Sequence, residues 1–206
     1  MFIAIVGSSC NLSTKQTPTA NTPVPVQNRA SAETGEAHAD PVEADARSAV
    51  KVLGTAAARE LCYETDTGDN VVLKSQTFAL EFEPYKGSCF VTSHNPEFDD
   101  PPMESEFAIF KNGKKLADFP TPFNGATFGC WVDGVAFQDL NADGLVDIIV
   151  AGKCSAKSSV YNENSVYVNT GKGFTTNEDG NIRISEFTKI KEIVDFVKEN
   201  KQIYFK

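Results

Sequence analysis

Asp139-Leu140-Asn141-Ala142-Asp143-Gly144-Leu145-Val146-Asp147 is the stretch on which the reading of this chain turns. Oxygen-bearing side chains occupy alternate positions at Asp139, Asn141 and Asp143, a glycine comes at once after them, and a further carboxylate arrives at Asp147. Alternate residues of a tight loop can all point inward, and a glycine supplies the sharp bend that returns the chain. A convergent set of hard oxygens suits Ca²⁺, which takes about six to eight of them at roughly 2.3–2.6 Å. The carbonyl of Leu145 falls where such loops donate a backbone oxygen. The expected metal ligands are therefore Asp139, Asn141, Asp143, Leu145 and Asp147.

The residues just beyond the loop fix its setting. An EF-hand has a bidentate glutamate at the twelfth loop position and begins a helix there. Here that position is Val150, inside Val146-Asp147-Ile148-Ile149-Val150. So short a β-branched run reads as a buried strand, so the loop joins two strands. The stretches FQDLNADGLVDIIVAG (137–152) and SVYVNTGKGF (165–174) resemble the FG-GAP and VCBS class of calcium repeats. Such repeats usually close propellers in sets. Asp66-Thr67-Gly68-Asp69-Asn70 and Asn177-Glu178-Asp179-Gly180-Asn181 lack the alternating spacing and read as ordinary turns. One copy implies a single compact domain carrying one calcium hairpin.

Period-two patterns at Thr77–Phe82 and Glu106–Phe110 mark half-buried antiparallel strands. Asn112-Gly113 accepts the positive φ of a tight hairpin. Further strands are expected around 88–93, 127–138, 145–151 and 164–169. Phe187, Ile190, Ile193, Val194 and Val197 recur at helical spacing, predicting a helix over 186–200 capped by Ser185 and packed on the sheet. The fold class is thus mainly β, an antiparallel, propeller-like or sandwich-like single domain over 51–206 with one C-terminal α-helix.

Ahead of that domain, residues 11–50 are rich in Thr, Ala, Pro, Ser and Glu and nearly empty of large apolar side chains. Such a segment buries too little surface to offset its ordering entropy and reads as a disordered tether. Residues 1–10 place a short apolar run before Gly7-Ser8-Ser9-Cys10, which resembles the end of a bacterial lipoprotein signal. That resemblance implies lipidation at Cys10 and a periplasmic domain held to the outer membrane by a lipid anchor alone. Removing Cys10 from the five cysteines leaves four that can pair in an oxidising compartment. A turn centred near residue 142 sets position 130 opposite position 154, which pairs Cys130 with Cys154 and, by elimination, Cys62 with Cys89.

The chain carries a net charge of −9; residues 51–206 hold 16 Lys/Arg against 23 Asp/Glu, a net of −7. This disfavours nucleic acid and anionic surfaces and favours a cationic partner. Part of the excess sits in Asn95-Pro96-Glu97-Phe98-Asp99-Asp100-Pro101-Pro102-Met103-Glu104, which reads either as a solvated acidic loop or as a rigid contact surface. Of the two histidines, His38 lies in the tether and His94 has no nucleophile motif beside it, so no catalytic residues are assigned and a non-enzymatic role is expected. Exported proteins with a single calcium hairpin and an exposed tyrosine after it resemble periplasmic lysozyme inhibitors and effector-immunity lipoproteins. That resemblance implies a basic, lysozyme-like peptidoglycan hydrolase as partner, contacted by Tyr161, Asn162 and Glu163, with Tyr161 inserted into its cleft. The alternative is a structural or carbohydrate-binding envelope module in which Trp131 and Phe98 stack on sugars. Thiol mapping of the native protein is expected to find Cys62, Cys89, Cys130 and Cys154 all oxidised; four free thiols would contradict the export reading.

Overall fold

Fifteen phenylalanines in a chain of this length require a large shared interior, and two facing sheets supply it. The structure, a computed structural model, describes residues 52–156 and 159–205. Cys10 and the segment 11–50 lie outside the described residues. The fold is mainly β, two antiparallel sheets with short helices, as the sequence pattern implies. In chain order the strands are β1 (Val71–Val72), β2 (Phe78–Leu80), β3 (Ser88–His94), β4 (Glu106–Lys111), β5 (Lys114–Ala117), β6 (Cys130–Gln138), β7 (Asp147–Ala156), β8 (Ser159–Asn162), β9 (Ser165–Asn169) and β10 (Phe174–Thr176). The helices are α1 (Ala56–Cys62), α2 (Glu178–Ile182), α3 (Ile190–Glu199) and α4 (Lys201–Tyr204).

One sheet runs β1-β3-β4-β5 with β2 also on β3; the other runs β10-β9-β7-β6 with β8 also on β7. Their inner faces enclose an aromatic cluster in which Phe90, Phe107, Phe119, Phe123 and Tyr167 are all buried, with ring centroids 4.8–5.9 Å apart in the contacting pairs. Offset and edge-on contacts of this kind add about 0.5–1.5 kcal/mol per pair beyond area burial. The outer face of the second sheet is covered by the C-terminal helices, where Ile149 and Val166 meet Ile184, Ile193, Val197 and Tyr204. β7 is consequently buried on both faces: Ile148 and Val150 enter the aromatic core while Ile149 enters the helical one. That is why its sequence is continuously apolar instead of alternating.

Sequence-derived boundaries shift in places for identifiable reasons. The Asn112-Gly113 turn joins β4 to β5 with φ of 52° and 73°. The helix expected over 186–200 is α3 and begins at Ile190, four residues later than its periodicity suggests, because Ser185 does not cap it: the Ser185 hydroxyl donates to the Ile182 carbonyl and closes the turn after α2. Asn177–Asn181 is not a plain turn, since the Asn177 side chain accepts from Gly180 N and starts α2. Asp66–Asn70 is a turn, held by Gly68 N donating to Asp66 Oδ1. The helix α1 has no periodic stripe in the sequence; Thr55 caps it, and the Arg59 guanidinium fastens it by donating to the carbonyls of Thr77, Lys74 and Ser75 while lying over Phe78.

The Tyr167 hydroxyl is sealed in the aromatic core, where Ser165 is the side chain that approaches it and no hydrogen bond of ordinary geometry forms among the described residues. A buried hydroxyl without a partner costs about 1–3 kcal/mol of desolvation. Tyr167→Phe is therefore expected to leave the denaturation midpoint unchanged or raise it, by about 1 kcal/mol in stability. A loss of more than about 1 kcal/mol in urea unfolding would contradict this description of the core.

Candidate functional site

The long hairpin β6–β7 organises everything that the sequence singled out. Its register runs from Gln138 opposite Asp147 to Cys130 opposite Cys154, with a bulge between Val132 and Gly134. The bulge decides the disulfide. Continuing the register of the loop end without a break would set Cys130 against Ser155; the extra residue Asp133 resets the pairing by one, and Cys130 meets Cys154 with Cα atoms 4.0 Å apart. Cys62 and Cys89 form the second bridge and tie α1 to β3. Both pairings are those expected from the sequence.

At the closed end of the hairpin, the loop winds its backbone around its own side chains. Asp139 Oδ1 accepts from Ala142 N at 2.7 Å and Asp143 N at 3.3 Å, and its Oδ2 from Gly144 N at 3.0 Å. Asn141 Oδ1 accepts from Asp143 N, and Asp143 Oδ1 from Leu145 N. Ala142 and Gly144 turn the corner with φ of 69° and 89°. Asp139, Asn141, Asp143 and Leu145 thus share one turn, and Asn141 Nδ2 donates to Asp143 Oδ2 at 2.8 Å.

Asp147 stands apart from them. It is wholly buried, and its two oxygens accept from Leu140 N at 3.1 Å and Asn169 N at 2.9 Å, so that one carboxylate joins the loop to β9. Asn169 answers by donating to the Val146 carbonyl and accepting from Gly171 N. Burial pushes the Asp147 carboxyl up to about 6; the two backbone bonds pull it down, and the charges of Asp143 and Asp139 push it up further. Among the described residues no three His, Cys, Asp or Glu side chains converge as a metal-holding group.

The donor chemistry nonetheless fits a hard divalent cation. Three carboxylates lie close enough for two of them to oppose ionisation of the third, and among the described residues none of them forms an ion pair with Lys or Arg. Asn141 and Asp143 also line a polar hollow of about 710 Å³ together with Asn177, Glu178 and Asp179.

Beside the open end of the hairpin, β8 and the residue after it carry the side chains expected to meet a partner. Tyr161 is 40% exposed on β8, opposite Cys154. Asn162 and Glu163 also bond within the fold: Asn162 Nδ2 donates to the Ser185 carbonyl, and Glu163 Oε2 accepts from Asn124 Nδ2 at 2.7 Å. Asn124 is the hub of a network that the sequence did not announce. Its Nδ2 also donates to the Asn164 carbonyl and its Oδ1 accepts from Asn181 Nδ2, while Asn164 Nδ2 reaches the carbonyls of Ile184 and Phe187. A visible trace of it is the concentration of asparagines at 162, 164, 177 and 181, at strand and helix ends where amide side chains satisfy loop backbone.

Asn124 is held in the left-handed region, with Thr121 and Phe123 beside it at φ of 46° and 51°. For a threonine and a phenylalanine such backbone costs about 1–3 kcal/mol each and persists only where the surroundings over-determine it. Phe123 is clamped against Gly152, where an added Cβ would meet the ring at 2.7 Å and the Glu163 carbonyl at 2.5 Å. The glycine is required for that approach.

Two expectations about aromatic side chains need correction. Trp131 is only 8% exposed and so is not a sugar-stacking surface; it lies in the β6–β7 ladder opposite Lys153. Phe98 is half-buried in the 95–104 loop, where Asn95 Nδ2 donates to Glu104 Oε2 and holds the loop ends together. The exposed aromatic that the sequence pattern does not single out is Phe128, at 74%, one residue ahead of Gly129, whose carbonyl accepts from Ser155 N in β7. His94 is buried with Nδ1 at 3.0 Å from the Asn95 carbonyl. No protein-family model, no curated protein and no solved structure matches the chain.

The Asp147 carboxyl sets a pH dependence whose sign comes from linkage. Its folded pKa lies above the unfolded value near 4, so its favourable contribution is present below pH about 4 and is lost as pH rises through about 6. In chelator, the difference in unfolding free energy between wild type and Asp147→Asn should fall by about 3 kcal/mol between pH 4 and 7.5. A flat difference over that range would contradict the burial described for Asp147.

Proposed function

We propose that this is a non-enzymatic, calcium-stabilised protein-binding lipoprotein of the bacterial envelope, anchored through Cys10, whose partner is a basic, lysozyme-like peptidoglycan hydrolase. The observation that carries the reading is Tyr161: an aromatic side chain exposed on β8 opposite Cys154, on a strand paired with the β6–β7 hairpin, which is stapled by the Cys130–Cys154 bridge at this end and wound into a tight loop at the other. Rigid aromatic anchors of this kind carry a large part of binding energy because little entropy is lost when they dock. Val160, Ile182 and Phe128 add exposed apolar area, while Glu163 and Glu186 supply negative charge beside Tyr161. A net charge of −7 over residues 51–206 favours encounter with a basic enzyme.

In this reading Ca²⁺ is held by Asp139, Asn141, Asp143 and the Leu145 carbonyl, with Asp147 joining the set from the strand through lone pairs that its two amide contacts leave free. Its chemistry is structural: it neutralises carboxylates that otherwise repel one another and fixes the loop from which β7 departs. Binding only to the folded state stabilises it by about 2.7 kcal/mol at a concentration of 100 times Kd.

Purified protein is expected to inhibit a basic peptidoglycan hydrolase, and Tyr161→Ala is expected to weaken that inhibition by about 30-fold or more, the loss of about 2 kcal/mol or more that marks a hot spot. Inhibition that is absent, or that survives the substitution undiminished, would overturn the reading.

A further inference from the structure

The strand that carries Tyr161 has an open edge. β8 pairs with β7 on one side only. Glu163 N donates to the Gly152 carbonyl at 2.8 Å, so Glu163 faces β7; two residues earlier Tyr161 faces it as well, and the N–H and C=O groups of Val160 and Asn162 point the other way. The far side of β7 agrees, since Ser155 N donates to Gly129 O and thereby turns Cys154 toward β8. Among the described residues neither Val160 nor Asn162 has a backbone partner on that outer side.

Edge strands are ordinarily protected by lysine, proline, a bulge or a covering element, because their free backbone groups are a template for another chain. Ser159-Val160-Tyr161-Asn162 has none of the first three. Beside it lies a hollow of about 490 Å³ lined by Val160, Tyr161, Glu163, Ile182 and Glu186, with no lysine or arginine in its wall among the described residues. Val160 and Ile182, 57% and 66% exposed, give that hollow an apolar floor next to two carboxylates.

We infer that the outer edge of β8 is a strand-addition site for an extended, basic segment of a protein partner. The segment pairs its backbone with Val160 and Asn162, lays an apolar side chain against Val160 and Ile182, and directs Lys or Arg toward Glu163 and Glu186. Strand addition takes affinity from main-chain hydrogen bonds and specificity from alternate side chains, which matches an edge with two outward residues and an acidic flank. A second copy of this chain fits poorly, because pairing β8 with β8 would bring the Glu163 and Glu186 of both copies together. The inference deepens the protein-binding reading and rests on it for there being a protein partner.

The test uses the full chain, labelled with ¹⁵N, and a capped octapeptide of sequence Thr-Lys-Val-Lys-Thr-Lys-Val-Lys as probe. Amide exchange of Val160 and Asn162 is expected to slow at least tenfold at saturating peptide. Val160→Pro removes an outward donor without touching the β7 ladder and is expected to abolish binding, whereas Val160→Thr, which keeps the N–H, retains it. The same peptide with alternate backbone nitrogens methylated, or with Glu in place of Lys, is expected to bind at least tenfold more weakly. Unchanged exchange at Val160 and Asn162, equal binding of the methylated or acidic peptide, or slowing that tracks protein concentration without peptide each overturn the inference, the last by making a second copy the occupant. Protection by the peptide together with no inhibition of any hydrolase leaves the edge site standing and removes only the hydrolase reading. Inhibition that depends on Tyr161, with no effect of the peptide, does the reverse.

Discussion

One buried carboxylate sets the terms for this domain. Asp147 places both oxygens on backbone amides, Leu140 N from the loop and Asn169 N from β9, at the point where β7 enters the core. An ionised group with no solvent contact is costly unless its lone pairs are used and its charge is answered. The amides do the first. A cation among Asp139, Asn141 and Asp143 would do the second, and without one Asp139 and Asp143 act against Asp147 through like-charge repulsion. The loop is therefore coupled to the sheet through a charge, and the state of one bears on the other.

From that point rigidity runs outward along β7 and gives way to exposure. The strand is buried on both faces as far as Val150, then crosses Gly152, where Phe123 presses in from a backbone held in an unfavourable conformation, and then passes the disulfide. At this end β8, paired with β7, carries Val160 and Tyr161 into solvent. The asparagine network around Asn124 holds β9 and the segment between α2 and α3 against this end, so the exposed strand projects from a fixed base. Stability is concentrated where the chain is least accessible, and the accessible strand inherits its position.

Much of this was legible in the chain because it is local. Period-two phenylalanines gave the strands, Asn112-Gly113 gave a hairpin whose φ values are both positive, and Val150 in place of a glutamate removed the helical setting for the loop. The disulfides were legible through register, although the simple count from the loop succeeded only because a bulge at Asp133 moved the pairing by one residue. What escaped depends on distant partners. Trp131 reads as available for stacking but the ladder encloses it, Ser185 reads as a helix cap but its hydroxyl closes another turn, and nothing in the sequence announces that Asn162 and Glu163 bond to Ser185 and Asn124. Polar side chains were the least legible class, since their roles are settled by whichever backbone group folding brings within reach.

Hydrogen exchange of the loop as Ca²⁺ is titrated into metal-free protein tests the coupling most directly. The account predicts that the amides of Gly144, Leu145, Leu140 and Asn169 gain protection together as Ca²⁺ saturates, that Mg²⁺ at the same concentration gives little of this gain, and that Asp139→Asn combined with Asp143→Asn removes it. Exchange at Leu140 and Asn169 that ignores Ca²⁺ while the rest of the domain stays folded would contradict it.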